Sequence, residues 1–242
     1  KVKKEVVPMN LTLNSKERNL NTHLDPKEWN ELIKKKDTHI IDTRKPFEFD
    51  VGTFKKSVNP DVNNFRDFPK YLNKLKKDKP VAMFCTGGIR CEKTSVYLKK
   101  KGFKNIYQLE GGIIEYTRQV KDQDLDNKFM GQNFVFDDRR AERISDDVIA
   151  QCHQCGESFD VHTNCANDAC HLLFIQCEKC KQEMDNCCST TCKDIHALPF
   201  EEQKQLRKGQ GNSNDIFKKG RAKHLPYKKD LRNIFDNFEK RD

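Results

Sequence analysis

Nine of the eleven cysteines in this 242-residue chain fall between Cys152 and Cys192. The segment around them is short and acidic, and its apolar residues are largely confined to "HLLFI", so a hydrophobic core alone is too small to hold it together. We therefore expect a module that is held together through its thiols. Most of these cysteines form four close pairs: Cys152-x2-Cys155, Cys165-x4-Cys170, Cys177-x2-Cys180 and Cys188-x3-Cys192, with Cys187 adjacent.

Four pairs at this spacing supply eight thiolates, enough for two tetrahedral zinc ions. An interleaved arrangement is natural, with the first and third pairs on one ion and the second and fourth pairs on the other. Disulfides and an iron–sulfur cluster are the alternatives for the same cysteines. Any single thiolate can be replaced as a ligand by one of the nearby histidines, which are His153, His162, His171 and His196.

The chain contains no apolar run near the ~20 residues that span a bilayer. Its first residues, "KVKKEVVPMN", lack the apolar region of a secretory signal and resemble the end of a strand from an upstream domain that is missing. These features predict a cytoplasmic protein without membrane contact. Paired cysteines usually bind metal in that compartment.

Positive charge is concentrated at the two ends of the chain. The formal net charge is +9, whereas residues 151–200 carry more acidic than basic residues. Basic surfaces of this kind indicate a polyanionic partner, with nucleic acid as the first candidate. The alternative is a lysine-rich composition that serves only solubility.

Residues 24–120 alternate between helical and strand-like patterns. "LDPKEWNELIKKK" predicts a helix capped by Asp25, and "THIIDTR", "VAMF" and "NIYQL" predict short buried strands. "CEKTSVYLKKKGF" and the residues after Gly111-Gly112 predict two further helices. This alternation predicts an α/β fold, a parallel sheet with helices on both faces, in which ligands bind at the carboxyl ends of the strands.

Cys85 directly follows the predicted strand "VAMF", at such a carboxyl end. We predict a six-residue turn from Cys85 to Arg90, with a helix starting near Cys91. Two glycines would let the backbone amides point inward, and the helix start adds its positive dipole end, so the thiol should persist as thiolate. Arg90 would add a charge and a fork for an anion.

We take Cys85 and Arg90 as candidate catalytic residues. Asp42 and Arg44 end the neighbouring strand and either face the same pocket or only pair to fix the loop. Cys91 is either a resolving thiol or an inward-packed cysteine. The candidate substrate-binding residues are Thr86, Gly87, Gly88, Ile89, Asp42 and Arg44.

The organisation along the chain has five parts. We assign residues 1–23 to the remnant of an upstream domain, 24–122 to the α/β domain, 123–150 to a connector, 151–198 to the cysteine module and 199–242 to a basic tail. The tail interleaves cations with Phe217 and Tyr227, a pattern that suits RNA contacts or a solvated, disordered segment.

The motifs "IIDTR", "VGTFKKSVNP", "VAMFCTGGIRCEK" and "GFKNIYQLEGGIIEY" together resemble a rhodanese domain. Adding "NFVFDDR" and the cysteine module, nearly the whole chain resembles the bacterial rhodanese-domain tRNA uridine hydroxylases. This resemblance implies that wobble uridine in tRNA is converted to 5-hydroxyuridine with molecular oxygen as co-substrate. It also implies that Cys85 is the active cysteine, of the persulfide type.

Two other functions stay open. The Cys85 loop also suits a sulfurtransferase that carries sulfur as a cysteine persulfide. A zinc adaptor with a non-enzymatic rhodanese scaffold is the third hypothesis, although a degenerate scaffold need not keep the thiol. The sequence shows no flavin or nicotinamide signature.

Overall fold

The computed structural model describes residues 22–62, 64–137, 140–208, 222 and 224–227. The predicted upstream remnant lies almost entirely outside these residues, as does most of the basic tail, including Phe217. The strands of the described part are β1 (His23–Leu24), β2 (His39–Asp42), β3 (Gly52–Phe54), β4 (Val81–Phe84), β5 (Ile106–Leu109), β6 (Phe129–Phe134), β7 (Ala141–Arg143), β8 (His162–Asn164) and β9 (Leu173–Ile175). The α-helices are α1 (Pro26–Lys34), α2 (Pro46–Phe49), α3 (Phe68–Leu72), α4 (Ile89–Lys100), α5 (Gly112–Asp122), α6 (Glu178–Glu183), α7 (Thr190–His196) and α8 (Phe200–Arg207), and a 3-10 turn spans Phe65–Asp67.

A four-stranded parallel sheet in the order β1-β5-β4-β2 forms the centre of the N-terminal part. Side chains of β4 alternate between two cores, as the two-residue period of a strand requires. Ala82 and Phe84 pack with α1 and α5, whereas Val81 and Met83 pack with α3 and α4. Helices therefore cover both faces of the sheet, which confirms the predicted α/β fold.

The helix starts follow from local chemistry. Asp25 caps α1 by accepting a hydrogen bond from the Glu28 amide, with Pro26 in the first turn. The helix after the cysteine loop begins at Ile89, two residues before the predicted start near Cys91, because Gly88 adopts the left-handed conformation (φ 86°) and turns the chain directly into α4. The connecting loop is therefore shorter than the predicted six residues.

The segment after residue 122 adds strands to the N-terminal part. β6 pairs antiparallel with β3 and with β7, and Gly52 and Gly131 face each other in this pairing. Gly52 has no side chain to clash here, since a Cβ would lie 2.1 Å from the Gln132 carbonyl oxygen. The C-terminal part is thus joined to the N-terminal part through backbone hydrogen bonds.

The cysteine module is built on the β8–β9 hairpin and the short helices α6 and α7. Ala222 and Leu225 are buried against it, and Tyr227 packs on Gly156 and donates its backbone amide to the His153 carbonyl oxygen. The described part of the tail therefore covers this module. Within the residues that the structure describes, each helix is too short or too polar to cross a membrane.

Candidate active site and cysteine clusters

Cys85 lies directly after β4, at the floor of an open cleft of about 900 Å³. Only 2% of its surface is exposed, so the sulfur is reached through the cleft. The lining residues come from the segment after β2, α2, the segment around the 3-10 turn, the cysteine loop with the first turn of α4, and the turn after β6. They are Thr43, Arg44, Lys45, Glu48, Val62, Asn64, Phe65, Arg66, Asp67, Cys85, Thr86, Gly87, Ile89, Arg90 and Phe136.

The loop after β4 wraps around the Cys85 sulfur. The Gly88 backbone amide donates to Sγ at 3.0 Å, and the sulfur faces the N-terminus of α4. Amides and the positive end of a helix favour the charged form of a thiol. Gly88 shapes this loop but, unlike Thr86, Gly87 and Ile89, does not line the cleft itself.

The start of α5 holds this loop in place. Its first amides, those of Ile113 and Ile114, donate to the carbonyl oxygens of Cys85 and Thr86 at 2.9 and 3.2 Å. Gly112 makes the approach possible, because a Cβ there would lie 2.5 Å from the Cys85 oxygen. With these carbonyl groups turned towards α5, the loop amides are left to face the sulfur.

The two thiols of the site differ in charge. A hydrogen bond from the Cys91 thiol, the positive charge of Arg90 and the amides at the start of α4 together lower the pKa of Cys85 to about 5, although burial opposes them. Burial and the neighbouring Cys85 thiolate raise the pKa of Cys91 well above its ordinary value. These opposite pKa shifts favour Cys85 as the thiolate, whereas Cys91 stays a buried thiol whose sulfur lies 3.5 Å from the Thr43 hydroxyl.

Arg90 is engaged by a carboxylate that the sequence analysis did not single out. Its two terminal nitrogens donate to the Glu48 oxygens at 2.8 and 2.9 Å, and the Glu48 side chain is fully buried. Burial raises the pKa of Glu48, but the hydrogen bonds and charge of Arg90 outweigh it and leave that pKa below its ordinary value. The predicted fork for an anion is therefore already occupied, and Arg90 acts on Cys85 through its charge.

Asp42 and Arg44 form an ion pair of 2.6 Å whose side chains have no exposed surface. Arg44 also donates to the Gly52 carbonyl oxygen and, at 3.4 Å, to Asn133 in β6. Arg44 meets the cleft through its backbone, and Asp42 does not line it. The structure thus places both side chains in the interior, where they fix the loop, and not at the surface of the cleft.

Several cleft residues escaped the sequence analysis: Lys45, Glu48, Phe65, Arg66 and Phe136. Lys45 directly follows the candidate residue Arg44. No local pattern marks Glu48 or the residues of the 3-10 turn as neighbours of Cys85. For Phe136 a signal existed, because "NFVFDDRR" is an apolar patch within a polar segment.

The eight paired cysteines form two groups of four, and each group can hold a metal ion. The first and third pairs make one group (Cys152, Cys155, Cys177, Cys180), and the second and fourth pairs make the other (Cys165, Cys170, Cys188, Cys192). Within each group all sulfur atoms lie within 4.8 Å of one another.

Individual sulfur distances match a tetrahedral thiolate site. The pairs Cys155–Cys177 and Cys170–Cys188 are 3.6 Å apart. The edge of a tetrahedron with Zn–S bonds of about 2.3 Å is about 3.8 Å long, whereas a disulfide needs about 2.05 Å. All cysteines of the described chain are free. None of the four candidate histidines belongs to either group, and Cys187 is buried outside both.

We expect alkylation of Cys85 by iodoacetamide to follow a midpoint near pH 5, because the reagent reacts with thiolate and the pKa is lowered to about 5. An ordinary cysteine has a midpoint near pH ~8.5, so at pH 7 the reactive fraction of Cys85 is about 30-fold larger. Peptide mass spectrometry after timed labelling measures the profile, with Cys91 as the internal control that stays unlabelled. A midpoint above pH 8 would contradict the stabilisation of the Cys85 thiolate by the Gly88 amide, the charge of Arg90 and the start of α4.

Two family models match the chain in sequence. A rhodanese-like domain covers residues 25–119, and a model described as "Rhodanase C-terminal" covers residues 130–193. Solved structures similar to the N-terminal part include a rhodanese-related protein from Thermoplasma volcanium (26% identity, TM-score 0.34, 40% of this chain and 91% of that one). Another is a rhodanese-like domain protein from Staphylococcus aureus (25% identity, TM-score 0.35, 39% and 90%).

Curated relatives match most of this chain. A protein of Pectobacterium atrosepticum is 50% identical over 207 residues, and one of Yersinia pestis is 48% identical over the same length. Both are named tRNA uridine(34) hydroxylase. The match covers 84% of this chain and 58% of each relative, so this chain spans little more than half of their length. The chain thus carries a rhodanese-like domain at residues 25–119 and is similar, over 84% of its length, to these tRNA uridine(34) hydroxylases.

Proposed function

We propose that this chain carries the reactive centre of an enzyme that hydroxylates wobble uridine in tRNA to 5-hydroxyuridine. The observation that carries the proposal is the Cys85 thiolate at the floor of a cleft of about 900 Å³, within the size range of small-molecule sites. The name of the curated relatives supplies the substrate. A base turned out of the anticodon loop would enter this cleft.

The proposed role of Cys85 is covalent. Its thiolate adds to C6 of the uracil ring, the C5–C6 π electrons move to the C4 carbonyl oxygen, and C5 becomes nucleophilic. C5 then takes up an electrophilic oxygen atom. Loss of the C5 proton and departure of the thiolate restore the double bond, so that the cysteine is regenerated.

The oxidant we propose is molecular oxygen. One of its atoms enters the C5–H bond, and the other leaves as water after taking two electrons and two protons from a two-electron reductant of the thiol class.

For the two cysteine groups we propose one structural zinc ion each. Four thiolates complete the tetrahedral shell of zinc and leave no open position for substrate, which argues for a structural role. The backbone amides of Cys177 and Cys188 point at the sulfurs of Cys152 and Cys165, at 3.3 and 3.4 Å, and support such charged ligands.

We propose tRNA as the partner of the basic surfaces, and a cytoplasmic location follows from that substrate. The net charge of +9 favours binding of the phosphate backbone. Tyr227, part of the tail pattern that suits either RNA contacts or a solvated segment, is 48% exposed and packs on Gly156. One side of its ring therefore packs against the cysteine module.

Sulfur transfer is the second candidate function. The loop after β4 that stabilises the Cys85 thiolate would equally stabilise the terminal sulfur of a persulfide, because the Gly88 amide and the charge of Arg90 favour either anion. Turnover of thiosulfate and cyanide, with tRNA left unmodified, would favour this function over hydroxylation.

Mass spectrometry of tRNA nucleosides tests the proposal. In a strain without its own hydroxylase, we expect the wild-type chain to form 5-hydroxyuridine and Cys85→Ser to lower its amount by at least ~10³-fold, as for loss of a nucleophile. Cys187→Ala is the matched control, since that thiol is buried outside the cleft and outside both cysteine groups. Full modification by the Cys85 variant, or none by the wild type, would overturn the proposal.

A further inference from the structure

Phe136 is an unusual residue at the mouth of the Cys85 cleft. It is 68% exposed and lines the cleft directly after β6. Its ring meets the buried rings of Phe47 and Phe134 edge-on, at centroid distances of 6.4 and 5.3 Å. Because 68% of Phe136 is exposed, a large part of its ring surface stays open to solvent beside the cleft, where it can stack with another flat ring.

The turn that carries Phe136 is held by its own hydrogen bonds. Val135 donates its amide to the Arg140 carbonyl oxygen, and Arg140 donates to the Asp137 carbonyl oxygen, both at 3.0 Å. The residues directly before and after Phe136 thus both take part in backbone hydrogen bonds. Preorganisation of this kind lowers the entropy cost of binding a partner.

Unpaired positive charge surrounds the same cleft. Lys45 and Arg66 are exposed lining residues that form no ion pair within the described part of the chain. The acidic lining residues are engaged, Glu48 by Arg90 and Asp67 by Lys70. An open aromatic face beside free cations is the combination that binds single-stranded nucleic acid, through stacking on the base and contact with the phosphate.

We propose that Phe136 stacks on the uracil ring that enters the Cys85 cleft, while Lys45 and Arg66 contact the flanking phosphates. This inference rests on the proposed action on wobble uridine. A recessed sulfur suits a flat ring that slides in on a flexible strand. Stacking would hold the ring in register above Cys85.

The variant F136W allows the stacking to be followed by tryptophan fluorescence. The chain has one tryptophan, Trp29, which is fully buried, so the emission of an added exposed indole can be followed separately. We expect an RNA anticodon stem–loop with uridine at the wobble position to quench this emission, and the same RNA with an abasic wobble position not to. Equal quenching by both RNAs, or by neither, would overturn the inference.

Binding measurements give the size of the effect. We expect F136A to bind the uridine stem–loop about 5- to 150-fold more weakly, the range of one base stacked on an aromatic ring, and F136Y to restore binding. F200A is the matched control, because Phe200 is equally exposed (63%) but packs on Arg207 in α8. Equal losses in F136A and F200A would contradict the proposal, as would loss only of binding to a protein sulfur donor.

Together, these measurements distinguish failure of the proposed stacking on Phe136 from failure of the proposed hydroxylation. If wobble-dependent quenching occurs while the wild-type chain forms no 5-hydroxyuridine, Phe136 binds the base and the proposed reaction fails. If 5-hydroxyuridine forms at the wild-type rate in F136A, the reaction stands and the role of Phe136 is refuted.

Discussion

A Cys177→Ser variant is expected to bind one metal ion per chain, against the two ions that we propose for the wild type, and to unfold around the first cysteine group. Cys177 is one of the four sulfurs that lie within 4.8 Å of one another, and its backbone amide also donates to the Cys152 sulfur. Structural zinc contributes about 10–16 kcal/mol to the folding of small domains. The apolar residues around this group are few, so nothing of similar size replaces the lost ion.

Elemental analysis of the purified protein measures the metal content, and limited proteolysis locates the unfolded segment. Cys187→Ala is the control, because it removes a buried thiol of the same module that is a member of neither group. Removal of metal by a chelator should reproduce the proteolysis pattern of Cys177→Ser. Two metal ions in the Cys177 variant, or none in the wild type, would refute the assignment.

Arg44→Met is expected to destabilise the fold by about 3–5 kcal/mol, the usual cost of removing one partner from a buried ion pair. The variant would leave the Asp42 carboxylate without its partner at a site where neither side chain is exposed. It would also remove the hydrogen bonds from Arg44 to Gly52 in β3 and to Asn133 in β6, and the second of these connects the N-terminal part to a strand beyond residue 122.

Urea unfolding of the holoprotein measures this loss. The matched control is Arg118→Met, because Arg118 is exposed on α5 and its ion pairs with Glu115 and Asp122 lie at the surface. Such pairs contribute below about 1 kcal/mol each. If the two variants lose the same stability, the Asp42–Arg44 pair has no structural role.

The layout of the N-terminal fold was predictable because its signals are local. Asp25 and Pro26 indicate a helix start, and the apolar run "VAMF" indicates a buried strand. The alternation of such elements leaves few topologies. Helix α4 begins two residues earlier than predicted. Its start depends on the left-handed conformation of Gly88, and no spacing rule distinguishes Gly88 from Gly87.

The candidate site was predictable only as far as it is local. Position after a strand was enough to place Cys85 at the carboxyl end of the sheet. The partner of Arg90 was not, because Glu48 lies 42 residues away and meets it only in the folded chain. Phe65 and Phe136 reach the cleft for the same reason, through tertiary packing.

The pairing of β3 with β6 has a practical consequence for the design of expression fragments. A fragment trimmed to residues 24–122 would end before Phe129–Phe134, leave Gly52–Phe54 as a bare edge, and deprive Arg44 of Asn133. It would also lack Phe136, one wall of the recess above Cys85. Ligand screens on such a truncated protein would probe a shallower depression than the one in the intact chain.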